Sequence, residues 1–360
     1  MTDAPDSQPN PAEPPDAPED APRFGKPQII AGIITLVILV LVFAVVLPQL
    51  GDYGAAWDAI QDMESWQLGI LVGATIVMIV FYVFPFQAAL PGLKFREGFL
   101  VRQTSFMISN VIPAGGAFGL AVQYGMLQGY GFGAAPSTAA IGITSLWNTL
   151  TTLALPVIGL IALLLVGEGD PTAISLTVIA TLAIVTLIVV LALVLRREST
   201  ARRVGSWVNG LIQWAAGLIN KDVSFDASGA LVSFRASIIG VVQERWILIT
   251  LANLFQQLAQ FSILYLAVVI LQGGLDGPIS LGEALAAFSF GRLATFIPVP
   301  PGGLGTTDAI ITGVLTELGL ANNDALAATL IWRAATFFPQ VIIGFFAFLA
   351  HQRDRNKAAA

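Results

Sequence analysis

The sequence lacks the side chains on which much enzyme chemistry depends. Its 360 residues include no cysteine and one histidine. The absence of cysteine excludes disulfides, thiol nucleophiles and thiolate metal sites. The single histidine, His351, lies in the polar C-terminal tail 351–360, which excludes a histidine metal centre and a histidine-based triad. We therefore predict no catalytic residues, no metal and no cofactor, and we expect that the protein is not an enzyme.

Charge is also scarce, because 11% of the residues are charged while 56% are hydrophobic and the mean hydropathy is +0.79. A chain with long apolar runs and so little charge is typical of a polytopic membrane protein. Six of the 23 acidic residues fall in residues 1–27, which are rich in proline and poor in large apolar residues. We expect this segment to be a disordered cytoplasmic tail. It has no basic start of a signal peptide.

Apolar runs long enough to cross a bilayer as helices, about 20 residues each, recur along the rest of the chain. Two further segments, 96–130 and 281–319, are apolar but carry clusters of proline and glycine in their middle. The uninterrupted candidates are 29–49, 67–90, 137–166, 172–195, 246–272 and 324–350.

Lysine and arginine are concentrated in alternate connecting segments, and this distribution predicts the orientation of the chain in the membrane. Assigning both termini to the cytoplasm puts every basic connection inside, as the positive-inside rule requires. The two broken segments must then begin and end on one side, as re-entrant hairpins or as pairs of full crossings. We predict an all-α polytopic protein of a bacterial-type plasma membrane, with six full spans and two broken re-entrant hairpins, or eight spans if the hairpins are counted. Its single transmembrane domain covers 28–350.

The segment 196–245 carries many arginines and an amphipathic pattern. Trp207, Leu211, Trp214 and Leu218 recur at spacings of three and four residues. This pattern predicts a helix on the inner membrane face, or a connector helix packed on the protein.

The two broken segments resemble each other. A shift of 186 residues pairs Glu97 with Glu283 and Gly119 with Gly305, and a shift of 185 pairs Gly159 with Gly344. The first segment enters from the cytoplasm and the second from outside, so halves 28–166 and 172–350 form an inverted-topology repeat. Such a repeat with discontinuous helices is typical of transporters. Chance similarity between two glycine- and proline-rich stretches is the alternative.

The breaks PAGGAFG and PPGGLG interrupt helices at membrane depth. The backbone N–H and C=O groups that such a break leaves without a helical partner must be covered by protein or line a water-filled cavity. A helix that begins near Thr306 would direct its exposed N–H groups at the second break, which suits an anionic group. The candidate backbone contacts are Gly115, Gly116, Gly302, Gly303, Gly305 and Thr306.

Charged residues within the apolar segments are functional candidates because their insertion into a membrane is costly. Arg292 and Arg333 are candidates to hold a phosphate, and Asp308 to orient one of them or to titrate. A buried pair of Asp308 with either arginine, which only locks the hairpin, is the alternative. Asn110 and Gln257 belong to polar clusters that fit the same cavity; each alone fits a helix–helix hydrogen bond.

The stretches FREGFLVRQTSFMISNVIPAGGAFG, PPGGLGTTDA and LIWRAATFFPQ resemble the membrane region of lysylphosphatidylglycerol synthases and related stand-alone flippase-like proteins. The resemblance covers about residues 28–350. It implies a region that flips an aminoacylated lipid made by a separate soluble domain. Because the chain stops at Ala360, we expect no aminoacyltransferase domain and no lipid synthesis. The resemblance carries over to these positions: Asn110, Pro113, Gly115, Gly116, Pro301, Gly302, Gly303, Gly305, Asp308 and Arg333.

The sequence therefore predicts a transporter or flippase that moves a lipid or lipid-linked intermediate with an anionic headgroup between leaflets. The substrate is a phospholipid or a polyprenyl-phosphate-linked lipid, and we expect no nucleic-acid partner. Transport would be passive or driven by a gradient, with Asp308 as the candidate proton carrier. A non-catalytic scaffold that docks a lipid-modifying enzyme through 196–245 is the main alternative, and an intramembrane enzyme on a lipid phosphate is a lesser one. A homodimer is left open.

Overall fold

A computed structural model describes residues 53–111, 115–166, 171–218, 226–296 and 305–359. These residues form twelve α-helices and one short 3₁₀ turn, Ala294–Phe296, and contain no strand. The expected tail 1–27, the expected span 29–49 and the tips of both breaks, with Gly302 and Gly303, lie outside the described residues. The helices are α1 Tyr53–Gln61, α2 Ser65–Phe81, α3 Phe84–Ala89, α4 Phe95–Val111, α5 Gly115–Gly129, α6 Ala134–Val166, α7 Pro171–Arg196, α8 Glu198–Leu218, α9 Ala227–Leu271, α10 Leu281–Leu293, α11 Thr306–Glu317 and α12 Asn322–Ala359.

Four helical stretches among the described residues are long and apolar enough to cross a membrane, and they coincide with four of the six expected spans. The expected span 172–195 falls on α7, where Thr181–Arg196 forms a shorter apolar helix. The all-helical membrane class is thus confirmed. The four stretches are Ser65–Ala89, Ala134–Ile161, Ala227–Leu271 and Asn322–Arg355.

The described residues of each broken segment form two helices, one on either side of the break, and these two helices pack against each other. On one side, Ser105 Oγ of α4 donates to the carbonyl oxygen of Gly119 on α5, and Gln123 Nε2 donates to Ser105 Oγ at 2.6 Å. On the other, Gly291 of α10 lies against Ile311 of α11 so closely that a Cβ would clash. At 1.5 Å per residue, α10 and α11, with 13 and 12 residues, are too short to cross a bilayer core of roughly 30 Å.

The long helices α6 and α12 each pack on the first helix of the other half's broken segment. A Cβ built at Gly159 of α6 would lie 2.9 Å from the Cα of Ala286 on α10. A Cβ at Gly344 of α12 would clash with the carbonyl oxygen of Gln103 on α4. The two glycines that the 185-residue shift pairs therefore serve the same purpose, a close helix crossing.

The segment 196–245 is divided between two helices. Helix α8 holds Trp207 and Trp214, which are 75% and 66% exposed. Residues from Ala227 onward belong to the 45-residue helix α9, which continues through the expected span. The side chain of Arg235 on α9 donates to the carbonyl oxygens of Leu195 and Arg196 and so satisfies the C-terminal end of α7.

Candidate functional site

A cavity of about 360 Å³ lies among the helices that the broken segments contribute and the long helices around them. Its wall contains three arginines and no carboxylate among the described residues. The lining residues are Tyr82, Arg102, Phe106, Asn110, Asn148, Thr149, Thr152, Gln256, Gln260, Arg292, Thr295, Phe296, Trp332, Arg333, Thr336, Phe337 and Gln340.

Helical periodicity explains why distant parts of the chain supply this wall. Residues four apart lie on the same face of a helix, and the wall is built from such faces. On α4 the face is Arg102, Phe106 and Asn110, and on α9 it is Gln256 and Gln260. The face on α12 is Arg333, Thr336, Phe337 and Gln340, and that on α6 is Asn148, Thr149 and Thr152.

Arg333 is paired with Asp308. Its Nε donates to Asp308 Oδ1 at 2.7 Å, and the carboxylate is 1% exposed. The other oxygen, Oδ2, accepts the backbone N–H of Gly305 at 2.8 Å. Gly305 precedes α11 with a φ of 83°, a conformation that favours glycine. Of the two pairings that the sequence allowed, the structure forms Arg333–Asp308.

Arg292 and Arg102 have no ion-pair partner within the described part of the chain. The Nε of each is buried and makes no hydrogen bond there. Burying a guanidinium without a compensating charge is unfavourable. Both arginines line the same cavity, and their charge has no carboxylate partner among the described residues, so the cavity favours an anionic ligand.

Arg102 was not among the expected site residues, because it follows Lys94 and Arg96 and its position fits a basic connection on the cytoplasmic side. The structure puts it in the second turn of α4, with its guanidinium carbon 4.3 Å from the centre of the Tyr82 ring. The signal that would have identified it is its spacing of eight residues from Asn110, which places both on one helical face.

Two aromatic rings of the wall are in cation–π contact with arginine side chains of the protein. Arg102 covers Tyr82, and the Arg333 guanidinium carbon lies 5.0 Å from the centre of the Trp332 ring. Such cation–π contacts orient the guanidinium group. The indole N–H of Trp332 donates to the carbonyl oxygen of Gln260 at 3.1 Å, so α12 is fixed to α9 beside the cavity.

The expected Gln257 packs behind the wall instead of lining it. Its Nε2 donates to Asn148 Oδ1 at 3.3 Å and to Thr152 Oγ1 at 3.4 Å, both on α6. Its neighbours Gln256 and Gln260 line the cavity. Gln257 thus positions two lining residues.

The remaining expected residues have different surroundings. Asn110 lines the cavity, and its Nδ2 donates to the carbonyl oxygen of Phe106. Gly115 is buried, and a Cβ there would clash with the backbone of α4, whereas Gly116 is exposed. Thr306 is the first residue of α11 and is half-buried. Within the described ranges, no group of three or more His, Cys, Asp or Glu residues could hold a metal ion.

The fold and the cavity define an all-helical membrane protein with a cationic, amide-rich site. The chain belongs to the family described as the lysylphosphatidylglycerol synthase TM region, whose profile matches residues 29–344. It is also similar to a phosphatidylglycerol lysyltransferase of Staphylococcus haemolyticus (strain JCSC1435), with 33% identity over 94 residues. That match covers 26% of this chain and 11% of the relative.

Proposed function

We propose that this protein moves a lipid with an anionic headgroup between the leaflets of a bacterial-type plasma membrane. The headgroup binds in the cavity, where Arg102, Arg292 and Arg333 surround it. The substrate is a phospholipid or a polyprenyl-phosphate-linked lipid. The chain itself catalyses no aminoacyl transfer in this proposal.

The charge balance of the cavity is the observation that carries the proposal. Three arginines line it, and Asp308 compensates only one of them. The other two each keep a buried Nε without a partner among the described residues. Cationic groups at membrane depth mark substrate or ion pathways in membrane proteins. A phosphate would supply both the charge and the acceptor oxygens that they lack.

The arrangement of the helices supports transport over simple binding. In the proposed topology α4–α5 and α10–α11 are re-entrant hairpins that enter from opposite faces. The reciprocal packing at Gly159 and Gly344 is the contact pattern expected of an inverted repeat. Rocking of one half against the other would then expose the cavity alternately to the two leaflets. The family and the phosphatidylglycerol lysyltransferase relative support a phospholipid partner.

Reconstitution tests this proposal. Purified protein is placed in liposomes that contain a trace of fluorescent phosphatidylglycerol, and dithionite is added outside to bleach the outer leaflet. Protein-free liposomes keep the label of the inner leaflet. The proposal predicts that active protein brings this label out, and that Arg333→Ala slows the loss. If wild-type vesicles protect the label as well as empty ones do, both for phospholipids and for a labelled polyprenyl-phosphate lipid, the proposal is wrong.

A scaffold for a lipid-modifying enzyme is the second candidate, and the exposed Trp207 and Trp214 on α8 are the observation that favours it. In that case the full chain would move no lipid in liposomes. A lipid-modifying enzyme would instead co-purify with it, and Trp207→Ser with Trp214→Ser would abolish the association.

A further inference from the structure

The cavity carries a second set of groups, carboxamides, that a phosphate alone does not explain. Gln256 and Gln260 are 3% and 7% exposed and both line it. Neither side-chain amide makes a hydrogen bond to another described residue. Gln340 also lines the cavity, and its Oε1 is buried without a partner in the same part of the chain. An amide that makes no hydrogen bond within the protein keeps its donors and its acceptor for a ligand with matching groups.

Carboxamides pair best with neutral groups that both donate and accept, and a hydroxyl is such a group. Asn110, Thr149 and Thr152 extend the same chemistry around the wall. At about 360 Å³ the cavity is near the small end of ligand pockets, which span about 300–1,000 Å³. It therefore fits a polar headgroup and excludes the acyl chains.

An amino group, by contrast, finds only neutral amide and hydroxyl oxygens as acceptors in the described part of this wall. The lining residues of the described chain include no carboxylate. Asp308 lies behind Arg333, and its two oxygens already accept from Arg333 and Gly305. The faces of Tyr82 and Trp332, which could hold an ammonium group, are covered by Arg102 and Arg333. An additional cation in the cavity would face three arginines.

We propose that the site selects a phosphate diester whose substituent carries hydroxyl groups, and that it rejects an aminoacylated headgroup. The arginines bind the phosphate, and Gln256 and Gln260 read the hydroxyls. A glycerol phospholipid and a glycosylated prenyl phosphate share this chemistry. The inference rests on the proposed function for the biological role of the site, but it concerns binding and is measured without transport.

The test is a binding measurement on the full chain in detergent. Dissociation constants are obtained from thermal shift or native mass spectrometry with short-chain probes. Dihexanoylphosphatidylglycerol and a short prenyl phosphoglucose represent the two sources of the hydroxyl-bearing diester. Dihexanoylphosphatidylethanol is a phosphate diester without hydroxyls, the lysyl ester of phosphatidylglycerol adds amines, and dihexanoylphosphatidylcholine is zwitterionic.

At least one hydroxyl-bearing probe should bind tighter than phosphatidylethanol, and the lysyl ester and phosphatidylcholine should bind weakest. Whichever of the two hydroxyl-bearing probes binds tighter identifies the source. Gln256→Leu and Gln260→Leu should each weaken binding of that probe roughly fivefold, the effect of one lost hydrogen bond, and leave the affinity for phosphatidylethanol unchanged. Gln243→Leu, at an exposed position of the same helix, is the matched control. A site of this kind discriminates strongly against ligands without the hydroxyl.

Three results would overturn the inference: tighter binding of the lysyl ester, equal binding of all probes, or an unchanged preference in both glutamine variants. Size-exclusion profiles of the variants identify any that do not fold, and Gln256→Asn then replaces the leucine variant. Selective binding without movement of lipid in liposomes would contradict the proposed function and leave this inference standing. Movement of the lysyl lipid in preference to phosphatidylglycerol would support the proposed function and contradict this inference.

Discussion

Arg333 Nε donates to Asp308 Oδ1 at 2.7 Å across two helices, α12 and α11. Because Asp308 Oδ2 also accepts the N–H of Gly305, one carboxylate connects a long helix to the first residue after the described gap at 297–304. The pair therefore has a structural consequence as well as an electrostatic one. It neutralises one arginine of the cavity, whereas Arg102 and Arg292 have no carboxylate partner among the residues that the structure describes.

Breaking this pair from one side should destabilise the protein strongly. Asp308→Asn leaves the half-buried Arg333 without its carboxylate, and removing one partner of a buried pair typically costs about 3–5 kcal/mol. We expect a lower midpoint of thermal unfolding in detergent. The double variant Asp308→Asn with Arg333→Gln should recover part of the loss, because no uncompensated charge remains.

The exposed pair Arg202–Glu198 supplies the control for that experiment. Its side chains are 65% and 51% exposed, and exposed pairs contribute about 0–1 kcal/mol. Arg202→Gln should leave the midpoint nearly unchanged. Equal effects of Asp308→Asn and Arg202→Gln would show that the buried pair contributes little to stability.

Gly344→Ala tests the crossing of α12 and α4. The new Cβ would clash with the carbonyl oxygen of Gln103, and overpacking of this kind costs about 1–3 kcal/mol. Gly159→Ala at the crossing of α6 and α10 should behave in the same way. The measurement is the shift of the unfolding midpoint.

Gly313→Ala in α11 is the matched substitution, because a Cβ there meets nothing within 4 Å. Alanine is a better helix former than glycine by about 1 kcal/mol, so this variant should be neutral or slightly more stable. A destabilisation at Gly313 as large as that at Gly344 would remove the packing explanation.

The sequence predicted the all-helical class and four described spans because long apolar runs determine both. It also selected Arg333 and Arg292, which line the cavity, and Asp308, which pairs with Arg333, because isolated charges within apolar helices are easily recognised; their role in binding stays a prediction. It did not identify Arg102, because a residue near a basic connection is equally consistent with a position in solvent. The choice of Gln256 and Gln260 over Gln257 depends on the rotation of α9 about its axis, which is set by packing on α6 and α12. The expectations for 1–27, 29–49, Gly302 and Gly303 lie outside the described residues and stay predictions.

The ionisation of Tyr130 should lower the stability of the folded protein at alkaline pH. Burial, with a further contribution from the charge of Asp354, raises the pKa of Tyr130 from 10.0 to about 12. Its hydroxyl lies 3.0 Å from His351 Nδ1. The unfolded chain ionises first, so the stability from this tyrosine is complete below about pH 10 and is lost as pH rises toward 12.

The phenolate absorbance in the ultraviolet checks this prediction directly. One tyrosine of the native protein should titrate late, and Tyr130→Phe should remove that late component. The variant's stability should also fall less between pH 10 and 12. A Tyr130→Phe titration identical to that of the wild type would contradict the assignment.

Tyr82→Leu tests whether the ring positions Arg102 for a ligand. A desolvated cation–π contact contributes up to about 2 kcal/mol, so headgroup affinity should fall by up to roughly thirtyfold. The expected effect is on the apparent affinity in the liposome assay, with little change in the maximal rate. Tyr124→Leu, outside the lining residues, should change neither; a similar loss in both variants would argue against a specific role of Tyr82.

The central claim is that Arg102 and Arg292, which have no ion-pair partner among the described residues, hold an anionic headgroup during its movement across the membrane. The most direct measurement is the rate of translocation of fluorescent phosphatidylglycerol relative to fluorescent phosphatidylcholine in liposomes. It compares wild type with Arg102→Gln combined with Arg292→Gln, and with the control Arg203→Gln on the exposed part of α8. We predict a strong preference for phosphatidylglycerol in wild type and in the control, and its loss in the double variant. An unchanged preference in a folded double variant would contradict the account.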